Sequence, residues 1–318
     1  MVARGKRSTT PKMSRGEFDK LFDEVCNWGR WGDDDERGTL NYLTAAMVKK
    51  GAGRVKSGRT VSMSRPIETA ASADNDEPAA HRMVRLYRAP AKGGEEPQFV
   101  SDYLGSEMHG NAYSHVDALC HVSYRGKLYN GRPVSVVTPE GATSMDITQY
   151  SRGIVGRGVL LDLPRLRKAK WLEPGEAVTA DELEEAERSE GVKLGEGDIF
   201  VFRVGQYRRR LELGAWDVEA EGRAGLDPRA MRLLHQRKVS AFLPDGDGET
   251  IPSPVDGVRY PVHALQIASM GLACGDSLQL EDLAKTCQKE GRWEFMVALS
   301  PLVLPGGTGS LANPIAVF

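Results

Sequence analysis

Continuous apolar runs and alternating apolar and polar residues indicate strands and helices along most of the chain. The apolar runs at 157–163 (RGVLLDL) and 198–204 (DIFVFRV) are typical of strands buried on both faces of a sheet. Between them, 179–192 (TADELEEAERSEGV) predicts a helix that begins after the N-cap Thr179, with Glu182 completing a capping box. This order of strand, helix and strand predicts a βαβ-like unit.

Weaker patterns predict further elements on both sides of this unit. Apolar residues at helical spacing predict two helices within 15–52, the second of them capped by Thr44. Residues 68–98 are mostly polar and rich in Ala, Pro and Gly, and they predict a long loop with a short strand at 82–87. The remaining predicted elements are strands within 58–68, 111–118, 240–245 and 295–305 and helices within 227–239 and 261–271.

The order of these elements predicts the fold class. Strands and helices alternate, and the strands are of both the fully buried and the half-buried kind, so we expect an α/β fold with mixed sheets. The chain has no internal repeat and no clear linker. We therefore predict a disordered tail over 1–14 and a single domain over 15–318, whose N-terminal segment 15–52 is helical.

Composition excludes some partners. The net charge is -2 and the pI is about 6.3, so no strong field favours nucleic acid or an anionic membrane. No apolar run approaches the ~18 residues of a membrane-spanning helix, and no apolar segment of a secretory signal follows the basic N-terminus. The four cysteines are scattered without a CxxC pair, which is typical of reduced thiols in a cytoplasmic protein.

The stretch HGNAYSHVDALCH, residues 109–121, contains three of the chain's six histidines. In an extended backbone, alternate residues share a face, so His115 and Asp117 can offer an imidazole nitrogen and a carboxylate oxygen to one divalent ion. His121 can join them if the chain turns after Asp117. His109 would lie about 20 Å from His115 along a straight strand and would need a bend to reach it. Short motifs of this kind also match ordinary core histidines.

Together with its surroundings, the stretch resembles the metal-dependent cyclase family, which includes kynurenine formamidases and isatin hydrolase. The family signature is H-x-G-T-H-x-D-x-P-x-H. Several further segments are similar to a longer branch of the family: NWGRWGDDDERGTLNYLT, DALCHVSYRGKLYNG, RGVLLDLPRL, GAWDVEAEGRAGL, YPVHALQIASMGLACGDSLQLEDLA and PGGTGSLANPIAVF. The resemblance covers nearly the whole chain.

The resemblance implies a fold, an activity and an assembly. The fold is a swivelling β/β/α domain, and the assembly is a homodimer or homotetramer. The activity is hydrolysis of a C–N bond in a small amide, lactam or related carbonyl compound, carried out by water that a divalent ion activates. The expected ion is manganese or zinc, and the expected partner is a small-molecule substrate.

The resemblance also assigns residues. His115, Asp117 and His121 match the second histidine, the aspartate and the last histidine of the signature. His263 and Asp276 fall where the family has a histidine and, thirteen positions later, an acidic residue that is generally glutamate in the formamidases. The expected metal ligands are His115, Asp117, His121, Asp276 and Asn111, and the expected catalytic residues are His121, Asp117, Tyr113 and His263.

Two positions depart from the signature. Asn111 stands at the first histidine, and its side-chain oxygen is a weaker ligand than imidazole for zinc or manganese. Tyr113 stands at the glycine, where the longer branch often has a histidine, and its hydroxyl could instead hydrogen-bond a substrate carbonyl. The site therefore lacks both usual sources of an additional imidazole.

Two alternatives follow from the missing ligand. One is a metal-free lyase, dehydratase or cyclase of specialised metabolism, in which His115 or His121 works with Asp117 as acid and base and Tyr113 polarises the substrate. The other is a binding protein without catalysis. Outside the cluster, residues 243–253 (LPDGDGETIPS) carry three acidic residues in a turn-rich segment, which predicts a surface loop or a loop beside the substrate.

Overall fold

The computed structural model of the protein describes residues 11–88 and 96–318. The α-helices are α1 (Arg15–Glu24), α2 (Ala45–Ala52), α3 (Leu163–Leu166), α4 (Ala180–Glu190), α5 (Gln206–Leu213), α6 (Met231–Gln236), α7 (Pro261–His263) and α8 (Glu281–Glu290). A π-helical segment, Ala264–Ser269, continues α7. Short 3-10 turns lie at Gly38–Tyr42, Tyr129–Gly131, Val134–Val136, Ile147–Tyr150 and Pro228–Ala230.

The strands run from near the N-terminus to the C-terminal residues. They are β1 (Thr60–Ser62), β2 (Ala80–Arg85), β3 (Ser101–Gly105), β4 (His115–Asp117), β5 (Val137–Thr138), β6 (Gly141–Ala142), β7 (Ile154–Asp162), β8 (Ala177–Val178), β9 (Ile199–Arg203), β10 (Gly225–Leu226), β11 (Ala241–Pro244), β12 (Ala273–Asp276), β13 (Glu294–Leu299), β14 (Gly309–Leu311) and β15 (Ile315–Val317).

Nine of these strands form one mixed sheet in the order β1-β15-β13-β7-β9-β11-β12-β4-β14. The four strands from β7 to β12 pair in parallel, and antiparallel pairs flank them on both sides. The predicted α/β fold with a mixed sheet is confirmed. The predicted unit of strand, helix and strand is β7–α4–β9, and the capping box of Thr179 and Glu182 begins its helix.

The sheet separates two apolar cores, which explains the continuous apolar runs. Neighbouring residues of β9 alternate between them: Val201 packs in one core, whereas Phe200 and Phe202 pack in the other. Leu160 and Leu161 of β7 divide in the same way. Each fully buried side chain of this size contributes about 1.5–3 kcal/mol to folding, so both faces of the central strands stabilise the domain.

The first described residues pack on the domain. Met13 is buried and forms a β-bridge with Val255, and Ser14 caps α1 in a capping box with Glu17. Residues 1–10 of the predicted tail lie outside the described residues. Within residues 11–88 and 96–318, none of the helices is both long and apolar enough to span a lipid bilayer.

Strand positions differ from the predictions in two places that matter for the site. The strand predicted around His115 is only three residues long, because the chain bends through 109–114 before entering β4. Of the predicted strand pair at 295–305, only β13 forms, and β14 and β15 come from the glycine-rich C-terminal segment. The short strand predicted at 82–87 within the loop 68–98 forms as β2, which pairs with β3 in an antiparallel hairpin; residues 89–95 lie outside the described part.

Candidate active site

The site begins where the sheet changes from parallel to antiparallel pairing, between β12 and β4. In this register Asp276 lies opposite His115, and Cys274 lies opposite Asp117. Paired residues of adjacent strands project from the same face, so all four buried side chains meet there. His115 Nε2 lies 3.5 Å from Asp117 Oδ1 and 3.9 Å from Asp276 Oδ2.

Two imidazoles turn Nε2 toward these carboxylates. His115 Nδ1 donates to the backbone oxygen of Tyr113 over 3.0 Å, so the nitrogen that faces inward is Nε2. His263 Nδ1 donates to Glu249 Oε1 over 3.0 Å, and its Nε2 lies 3.2 Å from Asp276 Oδ2. An imidazole held through Nδ1 by an oxygen is the arrangement found for metal-ligating histidines.

The pKa of His263 depends on its two carboxylate neighbours, Glu249 and Asp276. Burial opposes protonation, but the hydrogen bonds to Asp276 and Glu249 outweigh it and raise the pKa of His263 well above its usual range. Glu249 is fully buried and also accepts hydrogen bonds from the backbone amides of Val262 and His263. Glu249 therefore fixes the Nδ1 edge of the His263 ring, and the Nε2 edge faces Asp276.

Asp117 has one occupied and one unoccupied carboxylate oxygen. Oδ1 accepts a hydrogen bond of 2.8 Å from His109 Nδ1, whereas Oδ2 is buried and has no hydrogen-bond partner among the described residues. Burial opposes ionisation of Asp117, but the His109 hydrogen bond and the surrounding imidazoles hold its pKa well below the usual range. A buried charged oxygen without a partner is costly, so Oδ2 is placed to bind a cation.

His109 and His121 form the outer side of the site. Their rings stack with centroids 3.6 Å apart, and His109 Nε2 accepts from Thr308 Oγ1 at 2.9 Å. The bend through 109–114 is what brings His109 to Asp117. Desolvation lowers the pKa of His121 to about 4, with the Asp117 carboxylate opposing the shift and the neighbouring imidazoles adding to it. At neutral pH His121 is thus an uncharged imidazole able to accept a proton.

Asn111 and Tyr113 lie elsewhere than predicted. Asn111 Oδ1 accepts a hydrogen bond of 3.0 Å from Arg223 Nη1, so the oxygen expected to ligate a metal faces a guanidinium instead. The Tyr113 hydroxyl donates to Asn75 Oδ1 over 2.8 Å, and the ring is buried behind the cavity wall. The common face expected for these residues does not exist, because 111–114 are not a strand.

An open cavity of about 320 Å³ contains the cluster. Its lining residues are His109, Gly110, Asn111, His115, Asp117, His121, Val122, Glu219, Arg223, Asp247, Tyr260, His263 and Asp276. Another part of the wall comes from two loops: 243–253, which the sequence predicted as a surface loop or a loop beside the substrate, and the loop with Glu219 and Arg223, which the sequence did not single out as a site. Arg223 is buried there and contacts Asp247 Oδ2 at 2.5 Å and Glu219 Oε1 at 3.0 Å.

The loop 243–253 is not on the surface. Asp245 and Glu249 are fully buried, and Asp247 faces the cavity, so only the prediction of a loop beside the substrate agrees with the structure. Burial raises the pKa of Asp247 to about 6, although Arg223 and His263 favour its ionised form. The spacing of the acidic residues in DGDGE was the sequence feature that pointed to this loop. It does not specify which of their side chains face the cavity.

The donor atoms fit a divalent cation. One ligand atom each from Asp117, His263, Cys274 and Asp276 lie within 4.8 Å of one another, and a second group of His109, Asp117 and His121 shares Asp117. Carboxylate oxygens and imidazole nitrogens are ligands that zinc and manganese accept. Burial raises the pKa of Cys274 well above its usual range, so its thiol stays protonated and donates to Asp276 Oδ1.

Comparisons with known proteins agree with the fold. A sequence model described as putative cyclase matches residues 43–248. The crystal structure of a novel cyclase superposes with a TM-score of 0.79 and 30% identity, covering 92% of this chain and all of that one. No curated protein matches the sequence significantly.

More distant solved structures share the fold at lower identity. An isatin hydrolase bound to the product analogue thioisatinate matches at 16% identity and a TM-score of 0.55, over 88% of this chain and 98% of that one. A predicted metal-dependent hydrolase from Bacillus stearothermophilus matches at 16% identity and a TM-score of 0.52, over 81% and 97%. The cyclase-type fold expected from the sequence is confirmed.

Proposed function

Because the chain belongs to the cyclase family, we propose that it is a hydrolase that cleaves a C–N bond of a small amide, lactam or related carbonyl compound with a divalent ion, manganese or zinc. The observation that carries the proposal is the unpartnered Oδ2 of Asp117, which is buried beside the Nε2 atoms of two oriented imidazoles. Isatin is itself a lactam, so the fold shared with isatin hydrolase supports this substrate class.

The roles of the residues follow from their contacts. Asp117 and Asp276 would hold the ion together with His263, whose Nε2 would give up its proton on binding a cation, and His115 lies beside them. A bound divalent ion would lower the pKa of water and polarise a carbonyl group. His121 is uncharged at neutral pH and lines the cavity, so it accepts the proton that the attacking water releases.

The same groups account for the electrons and the proton that move when the amide is cleaved. The water oxygen bonds to the carbonyl carbon, and the π electrons of the carbonyl move onto its oxygen. When they return, the C–N bond breaks, and the leaving nitrogen takes the proton that His121 accepted. His109 keeps Asp117 ionised and oriented throughout, because its Nδ1–H donates to Oδ1.

A metal-free enzyme is the second candidate, and a specific contact favours it. His263 lies between the carboxylates of Glu249 and Asp276, which stabilise an imidazolium without any ion. Such a group can protonate a leaving oxygen, as elimination and cyclisation require. The two candidates differ in their need for metal.

Metal analysis with an activity assay separates them. Protein purified without added metal is analysed for manganese and zinc, then assayed with isatin and formanilide before and after chelation. We expect bound metal, hydrolysis, and loss of both on chelation. Asp117→Asn should abolish hydrolysis and metal binding, whereas Asp34→Asn, an exposed control outside the cavity, should change neither. A parent without metal that stays active in chelator would refute the metal proposal.

A further inference from the structure

The amide of Asn111 is held in one orientation. A guanidinium has only donors, so the Asn111 atom 3.0 Å from Arg223 Nη1 is the oxygen. The NH2 group at the other end of the same planar amide makes no hydrogen bond to any residue within 11–88 or 96–318. Asn111 lines the cavity, together with Asp117 and Asp276. The site therefore contains an oriented donor that has no partner among the described residues.

The support beneath this amide is rigid. Arg223 is 2% exposed, and its two Nη atoms bind Asp247 and Glu219 as well as Asn111. Glu219 is held in turn by the hydroxyl of Tyr260 at 2.7 Å. The backbone oxygen of Asn111 accepts from Arg65 Nη1 at 2.7 Å, so the residue is fixed through both its backbone and its side chain.

The charges around the amide indicate what it binds. The positive charge of Arg223 is already balanced by two carboxylates, so the guanidinium has little left to offer a substrate anion. Asp117 and Asp276 present only acceptors to the cavity. The carbonyl oxygen of a substrate is an acceptor, so its partner in this cavity is the neutral NH2 donor of Asn111 and not the oxygens of Asp117 and Asp276. A donor fixed in place is most effective where negative charge develops during a reaction.

We propose that the Asn111 NH2 group donates a hydrogen bond to the carbonyl oxygen of the substrate and stabilises the negative charge that forms on it, with Arg223 as the positioning residue. The inference rests on the proposed amide or lactam substrate. It assigns to Asn111 a substrate contact in place of the metal ligation expected from the sequence.

Asn111→Asp is the decisive variant. Aspartate has the same shape and keeps an oxygen toward Arg223, but it replaces the donor with a second acceptor. We expect kcat for isatin to fall about 10²–10³-fold, as on removal of an oxyanion donor, with a smaller change in KM. Manganese and zinc per chain should stay as in the parent. Asn313→Asp, the same change at an exposed position, should leave kcat and KM unchanged.

Variants of Arg223 test its positioning role. Arg223→Lys retains a charged donor, and Arg223→Met does not. The lysine variant should retain more kcat than the methionine variant, while KM and melting temperature separate loss of orientation from loss of folding. Equal kcat in the two variants at equal melting temperature would refute this role.

The proposal can also be tested without turnover, by measuring the affinity of the protein for isatinate by calorimetry. Asn111→Ala and Asn111→Asp should each weaken isatinate binding about tenfold or more. If the parent binds isatinate in an Asn111-dependent way but hydrolyses neither isatin nor formanilide, the hydrolase proposal alone fails. Three kinds of result would show that the donor assignment is wrong. The variants could hydrolyse isatin within about threefold of the parent, or Asn111→Asp could bind more metal and stay active. The parent could also fail to bind isatinate, or bind it no more tightly than the Asn111 variants do.

Discussion

Each oriented imidazole of the site is held at Nδ1, on the side that faces away from Asp117 and Asp276. His115 uses a backbone oxygen for this purpose, and His263 uses Glu249. The oxygen partner selects the tautomer, and the packing selects the ring orientation, so the chemistry of Nε2 depends on residues that touch no substrate. At the scale of single residues, the neighbours of a functional side chain matter as much as its type.

Tyr113 provides a test at this scale. Its hydroxyl donates to Asn75 and does not reach the cavity, so Tyr113→Phe should leave kcat within about twofold of the parent. The buried Asn75 oxygen would lose its donor, which should lower the free energy of unfolding by about 1–3 kcal/mol in urea titrations. A large loss of kcat with unchanged stability would instead support the substrate contact expected from the sequence.

At the scale of elements, α4 joins two parallel strands and ends at a buried carboxyl group. Glu190 Oε1 accepts from the backbone amide of Asp162 at the end of β7, and Oε2 has no partner among the described residues. Burial raises the pKa of Glu190 to about 8, with the Asp162 amide opposing the shift. Glu190 is thus protonated in the folded protein over a pH range where it ionises in the unfolded chain.

Stability should therefore depend on pH through Glu190. Between about pH 4.5 and 8 the folded state binds the extra proton, so the free energy of unfolding falls as pH rises, by up to about 1.4 kcal/mol per unit. Glu190→Gln should remove this part of the slope in urea titrations at pH 5, 6.5 and 8. Glu185→Gln, exposed on the same helix, serves as the control. An unchanged slope in Glu190→Gln would show that Glu190 is ionised in the folded protein.

At the scale of the whole molecule, the described residues leave the hairpin of β2 and β3 uncovered. Every residue of β2 is exposed, and near the hairpin Leu86, Tyr87 and Phe99 are 69%, 70% and 79% exposed. Two strands alone are marginally stable in water, and apolar surface of this kind commonly marks an interface. We propose that a second copy of the chain covers it, in the homodimer or homotetramer that the resemblance implied.

Light scattering tests the assembly. At micromolar concentration the parent should have the mass of a dimer or tetramer, and the double variant Leu86→Ser with Phe99→Ser should have a lower mass. Leu211→Ser removes another exposed leucine, from α5, and should leave the mass unchanged. A monomeric parent would contradict the proposal, and an unchanged mass in the double variant would place the interface elsewhere.

Local features of the protein could be predicted from the sequence alone. Thr179 and Glu182 form their capping box, and the apolar runs on either side become the central strands β7 and β9. The spacing of His115 and Asp117 placed both on one face of a strand. These features depend on residues close together in the chain, where backbone geometry sets which side chains meet.

Tertiary structure decided how the site is completed. His109 reaches Asp117 only through a bend whose shape depends on contacts with Thr308. Glu249 and Arg223 come from two loops that a β-bridge between Arg223 and Ile251 holds together, and Arg223 reaches Asn111 from there. The contacts of His109 with Thr308 and of Arg223 with Asn111 join residues 199 and 112 positions apart, so their geometry depends on sheet register and loop path, which no local pattern encodes. The same reason explains why the Asn111 side chain contacts the guanidinium of Arg223, whereas the sequence predicted that it would bind a metal.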